Sequence, residues 1–117
     1  MVIAPASEGY VGILPHHTPL LTTLSPGELR IKKGGSETSL AVFGGFMDVR
    51  PVRVVILTDA AESPDEIDES RAEAARARAR EALQAGPVGL EEAQARASLE
   101  RAMVRLRVSE RRRRRGS

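Results

Sequence analysis

The chain has 117 residues, 41% of them hydrophobic but only 3% aromatic, and a formal net charge of +2. That is enough for one ordinary domain or two very small ones, packed mainly by Val, Ile, Leu and Ala. With no cysteine, disulfides and thiolate metal sites are excluded, and no apolar run approaches the roughly 20 residues of a membrane-spanning helix.

The charge is unevenly spread. Residues 1–62 carry five basic and six acidic groups, whereas residues 63–117 carry thirteen and ten, every basic one an arginine. The run Arg111–Arg115 alone turns a mildly acidic chain basic. Such a run predicts a solvated, disordered tail, with a nucleic-acid or acidic-partner role as the alternative.

In chain order, the first half reads as β-structure. His16 and His17 follow Pro15, and they are the only histidines, so no other His or Cys could complete a metal site around them. The segment GELRIKKGGSETSLAVFGGFMDVRPVRVVILTD is a series of short apolar runs cut by Gly-Gly and Pro. KKGGSE predicts a hairpin turn between Leu29–Lys32 and Ser39–Phe43. Gly44–Gly45 is expected to separate Leu40–Phe43 from Phe46–Arg50, and Pro51 to precede a strand at Arg53–Thr58. Short strands this closely spaced predict a sandwich or barrel.

The period changes at DAAESPDEIDESR. Ser63 followed by Pro64, Asp65 and Glu66 predicts an N-cap, a proline at the first helical position and an acidic first turn. Alanines and long side chains continue that helix until Gly86 and Pro87 end it. A second helix is expected from Leu90 to about Val108, and so short a link predicts a folded-back hairpin.

At about 100° per residue, with Asp68 as zero, Ala72, Ala75, Ala79 and Ala82 fall within about 40° of the origin, Arg71 near −60° and Arg78 near −80°. Asp68, Arg71 and Arg78 therefore border an alanine seam. Arg76 and Arg80 lie on the other side, near Glu69 and Glu73, as solvated charges with helical partners. The second helix has a matching stripe, Ala95, Leu99, Ala102 and Leu106, edged by Arg101 and Arg105. Folding the hairpin could bring Arg71, Arg78, Arg101 and Arg105 together, and planar guanidinium forks suit phosphate oxygens. The alternative is an arginine-rich but merely solvated hairpin. Glu62 and Asp68 could accept from an exocyclic amine or ribose hydroxyl, or simply be helix N-terminal charges. No GxxxxGK[ST] loop is present, and no nucleophile–base arrangement is visible.

The segments GILPHHTPLL, GELRIKKGG, FGGFMDVRP, VVILTDAAE, IDESRA and RAMVRLRV, in this order and over nearly the whole chain, resemble the epsilon subunits of bacterial F-type ATP synthases. The resemblance implies an α+β fold: an N-terminal β-sandwich (1–62) that binds the rotor, truncated at its start, followed by an antiparallel two-helix hairpin (63–110) and the arginine-rich tail (111–117). About two more strands are usual in the family ahead of EGYVGILP. IDESRA matches a family pattern that marks ATP-binding hairpins, and the resemblance assigns Glu62, Asp68, Arg71, Arg78, Arg101 and Arg105 to ATP. Tyr10, Pro15, His16 and His17 correspond to the rotor-ring contact, although the family usually has Gly-His after the proline and often an acidic residue in place of Tyr10.

The resemblance further implies a non-catalytic subunit with no required cofactor and ATP as a regulatory ligand. Its implied partners are the gamma subunit and the ring of c subunits, and the catalytic beta subunits when the hairpin extends. It would couple rotation to synthesis and restrain ATP hydrolysis, peripheral to the cytoplasmic side of the cell membrane, with no nucleic acid bound. The alternatives are a freestanding ATP sensor and a nucleic-acid-binding protein using the arginine tail.

Overall fold

The computed structural model describes residues 1–116, with side chains through residue 113. The chain divides into two compact units, Met1–Ser63 and Pro64–Ser117.

The first unit is an antiparallel sheet folded as a sandwich. Its strands are β1 (Val2–Ala6), β2 (Gly9–Ile13), β3 (Leu20–Lys33), β4 (Ser36–Arg50), β5 (Arg53–Leu57) and β6 (Ala61–Glu62). They are ordered β2-β1-β3-β4-β5, with β6 also on β4. The β3–β4 hairpin turns at Gly34 and Gly35, with φ of 57° and 82°. Both central residues of a type I′ turn need positive φ, which is why Gly-Gly stands there. Pro51 and Val52 make the next two-residue turn, pairing Arg50 with Arg53.

Gly44 and Gly45 do not separate two strands as expected. β4 runs through them unbroken and keeps one register with β3, from Lys33–Ser36 to Leu20–Val49. They adopt φ of 111° and 122°, and β6 covers Ala41 and Val42 on one side of them while β5 covers Phe46 to Arg50 on the other. The pair is thus a kink that lets one long strand serve both layers. At Gly45 a Cβ would collide with the Leu57 carbonyl oxygen, so the departing end of β5 needs the missing side chain. The Thr58 hydroxyl donates to the Gly44 carbonyl at 2.6 Å and fixes the same corner.

β1 is not legible as a strand in the sequence because Pro5 lies in its middle. A proline inside a sheet requires an edge or a bulge. Here the β1–β3 register shifts between Ile3 and Ala6, so the missing N–H falls where the ladder is already irregular. Ala4, Ile13, Leu24, Leu29, Val42, Met47 and Val49 form the core between the layers.

The second unit begins with a single 3-10 turn, Pro64–Glu66, followed by α1 (Glu69–Gln84) and α2 (Leu90–Gly116). Pro64 opens only the 3-10 turn. The cap of α1 is Asp68, extended at φ −87° and ψ 103°, whose carboxylate accepts from the Arg71 N–H at 3.1 Å. The expected cap at Ser63 is therefore corrected to Asp68. α1 ends where Gly86 takes φ 72° and its N–H bonds to the Leu83 carbonyl. α1 and α2 pack against each other. Ala72, Ala79 and Ala102 are buried, whereas Ala82 is exposed and Ala75, Ala95, Leu99 and Leu106 are half-buried. Val104 and Val108, outside the predicted stripe, are also buried. α2 continues past Val108 to Gly116, so Arg111–Arg115 extend the helix instead of forming a disordered tail. Ser117 lies outside the described residues.

Candidate functional site: an arginine face on the helical hairpin

Ser109 Oγ donates to Glu69 Oε2 at 3.0 Å, which fixes the register of the two antiparallel helices. Counting from it, Arg71 stands at the level of Arg105 to Arg107, and Arg78 at about that of Arg101. Arg71 and Arg78 lie on the side of the α1 seam reached by turning backwards about the axis, and Arg101 and Arg105 do the same on α2. In antiparallel helices the same turning sense falls on the same side of the pair. By this helical geometry all four arginines fall toward one face of the hairpin.

A groove of about 380 Å³ opens on that face. Ala75, Ala79, Ala82 and Ala95 form its apolar floor, with Arg78 on one wall and Glu91, Gln94 and Ser98 on the other. Arg101 donates to Ser98 Oγ at 3.2 Å, which ties it to the rim of the same groove. Small residues on both helices are what leave this room, because larger ones would fill it. Arg71, Arg78 and Arg101 are exposed and Arg105 is half-buried. Among the described residues, the guanidinium groups of Arg71 and Arg78 have no carboxylate partner.

Arg76 differs. It pairs with Glu73 at 2.5 Å on its own helix, as its side of α1 predicts. Arg80 is exposed and faces the same way. Asp68 uses Oδ1 to cap α1, leaving Oδ2 for a ligand donor. Glu62 sits in β6 of the first unit, half-buried opposite Ala41. Sequence reasoning missed Glu91 and Gln94, which lie in the first turns of α2, where acidic groups read as ordinary helix-end charge.

The other candidate residues do not form one cluster. Pro15 and His16 line a depression of about 320 Å³ together with Leu14, Pro51 and Val52. Exposed Leu14 and Val52 give this end of the sandwich an apolar character. His17 donates Nδ1–H to the Thr18 carbonyl at 2.6 Å, which orients its ring. Tyr10 lies at the far end of β2 from this loop, and its hydroxyl is bonded to β3. His16 adopts φ 63°, the left-handed region. Among the described residues, no group of three His, Cys, Asp or Glu could hold a metal ion.

A β-sandwich followed by an antiparallel helical hairpin defines the class of fold to which this chain belongs. Residues 1–64 match the family model of the ATP synthase delta/epsilon chain β-sandwich domain, and residues 65–110 that of the long α-helix domain. The ATP synthase epsilon chain of Dehalococcoides mccartyi is 53% identical over 114 residues, covering 97% of this chain and 81% of its own length. That of Herpetosiphon aurantiacus is 53% identical over 115 residues, covering 98% and 85%. A chain of the Euglena gracilis mitochondrial ATP synthase, in an assembly with its c-ring, superposes with a TM-score of 0.77 at 30% identity, covering 85% of this chain and 62% of that one. The chain belongs to the delta/epsilon family of F-type ATP synthase subunits, as an epsilon chain of the central stalk.

Proposed function

We propose that this epsilon chain is a non-catalytic coupling subunit whose hairpin senses ATP. The observation that carries the reading is the one-sided arginine face. Four guanidinium groups share one side of two packed helices, beside a groove that Arg78 lines and Arg101 reaches through Ser98. Like charges so placed repel, and a polyphosphate among them replaces repulsion with charge-assisted hydrogen bonds. The Oδ2 atom of Asp68 is an acceptor for the donors of a ribose or an adenine. Bound ATP stabilises the folded hairpin by RT ln(1 + [ATP]/Kd). Without it, repulsion favours opening, and the released basic helix can reach acidic surfaces of the catalytic beta subunits and restrain hydrolysis.

The sandwich supplies the other half of the function. The loop carrying Pro15, His16 and His17 fits contact with the ring of c subunits, and the remaining faces fit the gamma subunit, so that the unit turns with the rotor. No helix among the described residues is long and apolar enough to cross a membrane. As a subunit of such a complex the chain would sit peripherally on the cytoplasmic side of the cell membrane.

Calorimetric titration with ATP tests the site. Arg71→Ala or Arg101→Ala is expected to weaken binding by about 1.5–3 kcal/mol, the worth of a charged hydrogen bond. Arg76→Ala should change little. Equal losses in all three variants would contradict the face assignment.

A further inference from the structure

The hairpin is closed by its connection at one end only. At the other, the Pro64–Glu66 turn leads into α1 and α2 runs out, and three side-chain contacts hold α2 to that turn and to α1. Arg112 meets Asp65 at 2.6 Å, Arg113 meets Glu69 Oε1 at 3.1 Å, and Ser109 donates to Glu69 Oε2 at 3.0 Å. Both oxygens of Glu69 are thus engaged by α2. We propose that Asp65 and Glu69 with Arg112 and Arg113 form an electrostatic clasp across the open end of the hairpin, which sets how readily it opens whether or not nucleotide is bound. This inference rests on the opening of the hairpin proposed above, but not on ATP being the ligand.

The charges suit the ends they occupy. Glu69 sits in the first turn of α1 and the guanidinium groups near the C-terminal end of α2, where each is favoured by the helix dipole, while Asp65 lies in the turn just ahead of α1. Antiparallel packing then brings these opposite ends side by side. The clasp residues are distant in sequence, so their bonds exist only while the hairpin is folded. Arg76–Glu73 and Arg96–Glu92 differ, because they lie within single helices and survive opening. The clasp pairs are largely solvent-exposed, so each is weak and screened by salt. Weak, long-range contacts of this kind give a latch that closes firmly enough to bias an equilibrium and still releases. They act against the repulsion on the arginine face. This assigns the start of the Arg111–Arg115 run a role inside the folded chain.

Since the chain has no cysteine, Ala74→Cys and Met103→Cys, both exposed positions on facing helices, allow a distance probe to be attached to the full chain. The fraction of open hairpin is then read without nucleotide. Reversing Arg112 and Arg113 to Glu should raise the open-to-closed ratio roughly threefold to tenfold, the effect of losing two exposed pairs. Adding Asp65→Arg and Glu69→Arg should bring it back, whereas Glu92→Gln should leave it unchanged. A reversal indistinguishable from the parent, or a swap that stays as open as the reversal, overturns the clasp. The parent itself gives a second measurement that needs no reversed charge. Salt screens the clasp and the repulsion on the arginine face alike, so its effect is read as a difference. At low salt the parent should be less open than the variant combining Asp65→Asn, Glu69→Gln, Arg112→Gln and Arg113→Gln. The gap should close toward about 1 M salt, where the screening length falls to about 3 Å. Equal open fractions at low salt would refute the proposal.

Discussion

The phenolic oxygen of Tyr10 accepts the backbone N–H of Glu28 at 3.1 Å, reaching from β2 over β1 to β3. The reach is needed because the β1–β3 register shifts between Ile3 and Ala6, around Pro5, which leaves β3 without its regular ladder partner there. Close packing around the bond is visible at Gly27, where a Cβ would stand 2.6 Å from Pro5 and 2.9 Å from the Tyr10 hydroxyl. Tyr10 is thus a structural acceptor. Tyr10→Phe, which keeps the ring and removes the oxygen, should destabilise the sandwich by about 1 kcal/mol. Thermal unfolding followed by circular dichroism measures it, and an unchanged midpoint would show that water replaces the phenol.

His16 holds φ 63° with a side chain that disfavours it. The left-handed region costs a non-glycine residue roughly 1–2 kcal/mol, part of which glycine gives back through its greater freedom when unfolded. His16→Gly is accordingly expected to stabilise the chain by about 0.5–1 kcal/mol. Denaturant unfolding of the two proteins checks this. A loss of stability instead would mean that the imidazole makes a contact worth more than the backbone strain.

Gly45 and Gly34 both have positive φ, but they differ in surroundings. A Cβ at Gly45 meets the Leu57 carbonyl oxygen and the Thr58 Cα within 3 Å, whereas at Gly34 nothing lies within 4 Å. Gly45→Ala should cost at least about 3 kcal/mol, since backbone must move as well as strain be borne. Gly34→Ala should cost about 1 kcal/mol from strain alone. Comparable unfolding midpoints for the two variants would contradict the close approach of β5.

Local chemistry makes some of the fold legible. Gly34–Gly35 marks its turn because type I′ geometry leaves few other residues, and Gly86 marks the end of α1 for the same stereochemical reason. Sequence misleads where a signal has two physical meanings. Gly44–Gly45 looks like a turn in one dimension, but becomes a kink when two other strands lie along the same neighbour. Ser63-Pro64 reads as a helix start, yet Asp68 further on offers a carboxylate to the N–H of Arg71, and the α-helix begins there. The arginine face is legible because helical periodicity fixes angles. The groove beside it depends on which alanines of two helices meet, and burial of Val104 and Val108 lies outside the stripe that periodicity selects. At Arg111–Arg115 composition points to a tail, because it carries no trace of Asp65 and Glu69 at the far end of the hairpin.

The helix–helix seam should be intolerant of bulk. Ala102 is 1% exposed against α1, whereas Ala97, on the same helix, is exposed. Ala102→Leu is expected to destabilise the helical unit by about 1–3 kcal/mol through overpacking, and Ala97→Leu to have little effect. Hydrogen exchange of α1 and α2 amides separates them. Equal protection in both variants would show that the helices are not held at close range.

Asp68 has two jobs that substitution can separate. Its Oδ1 caps α1, while Oδ2 is the atom assigned to the nucleotide in the function proposed above. Asp68→Ala removes both, and should cost about 1 kcal/mol of helix stability together with ATP affinity. Asp68→Asn and Asp68→Ser keep a capping oxygen, so the helix should retain most of its stability. They differ from aspartate in lacking a full negative charge for a ligand's donors. If Asp68 contacts the nucleotide, both should therefore weaken ATP binding while the melting temperature without ATP stays near that of the parent. Should affinity instead follow the melting temperature through all three variants, Asp68 acts on the nucleotide only by starting the helix that carries Arg71.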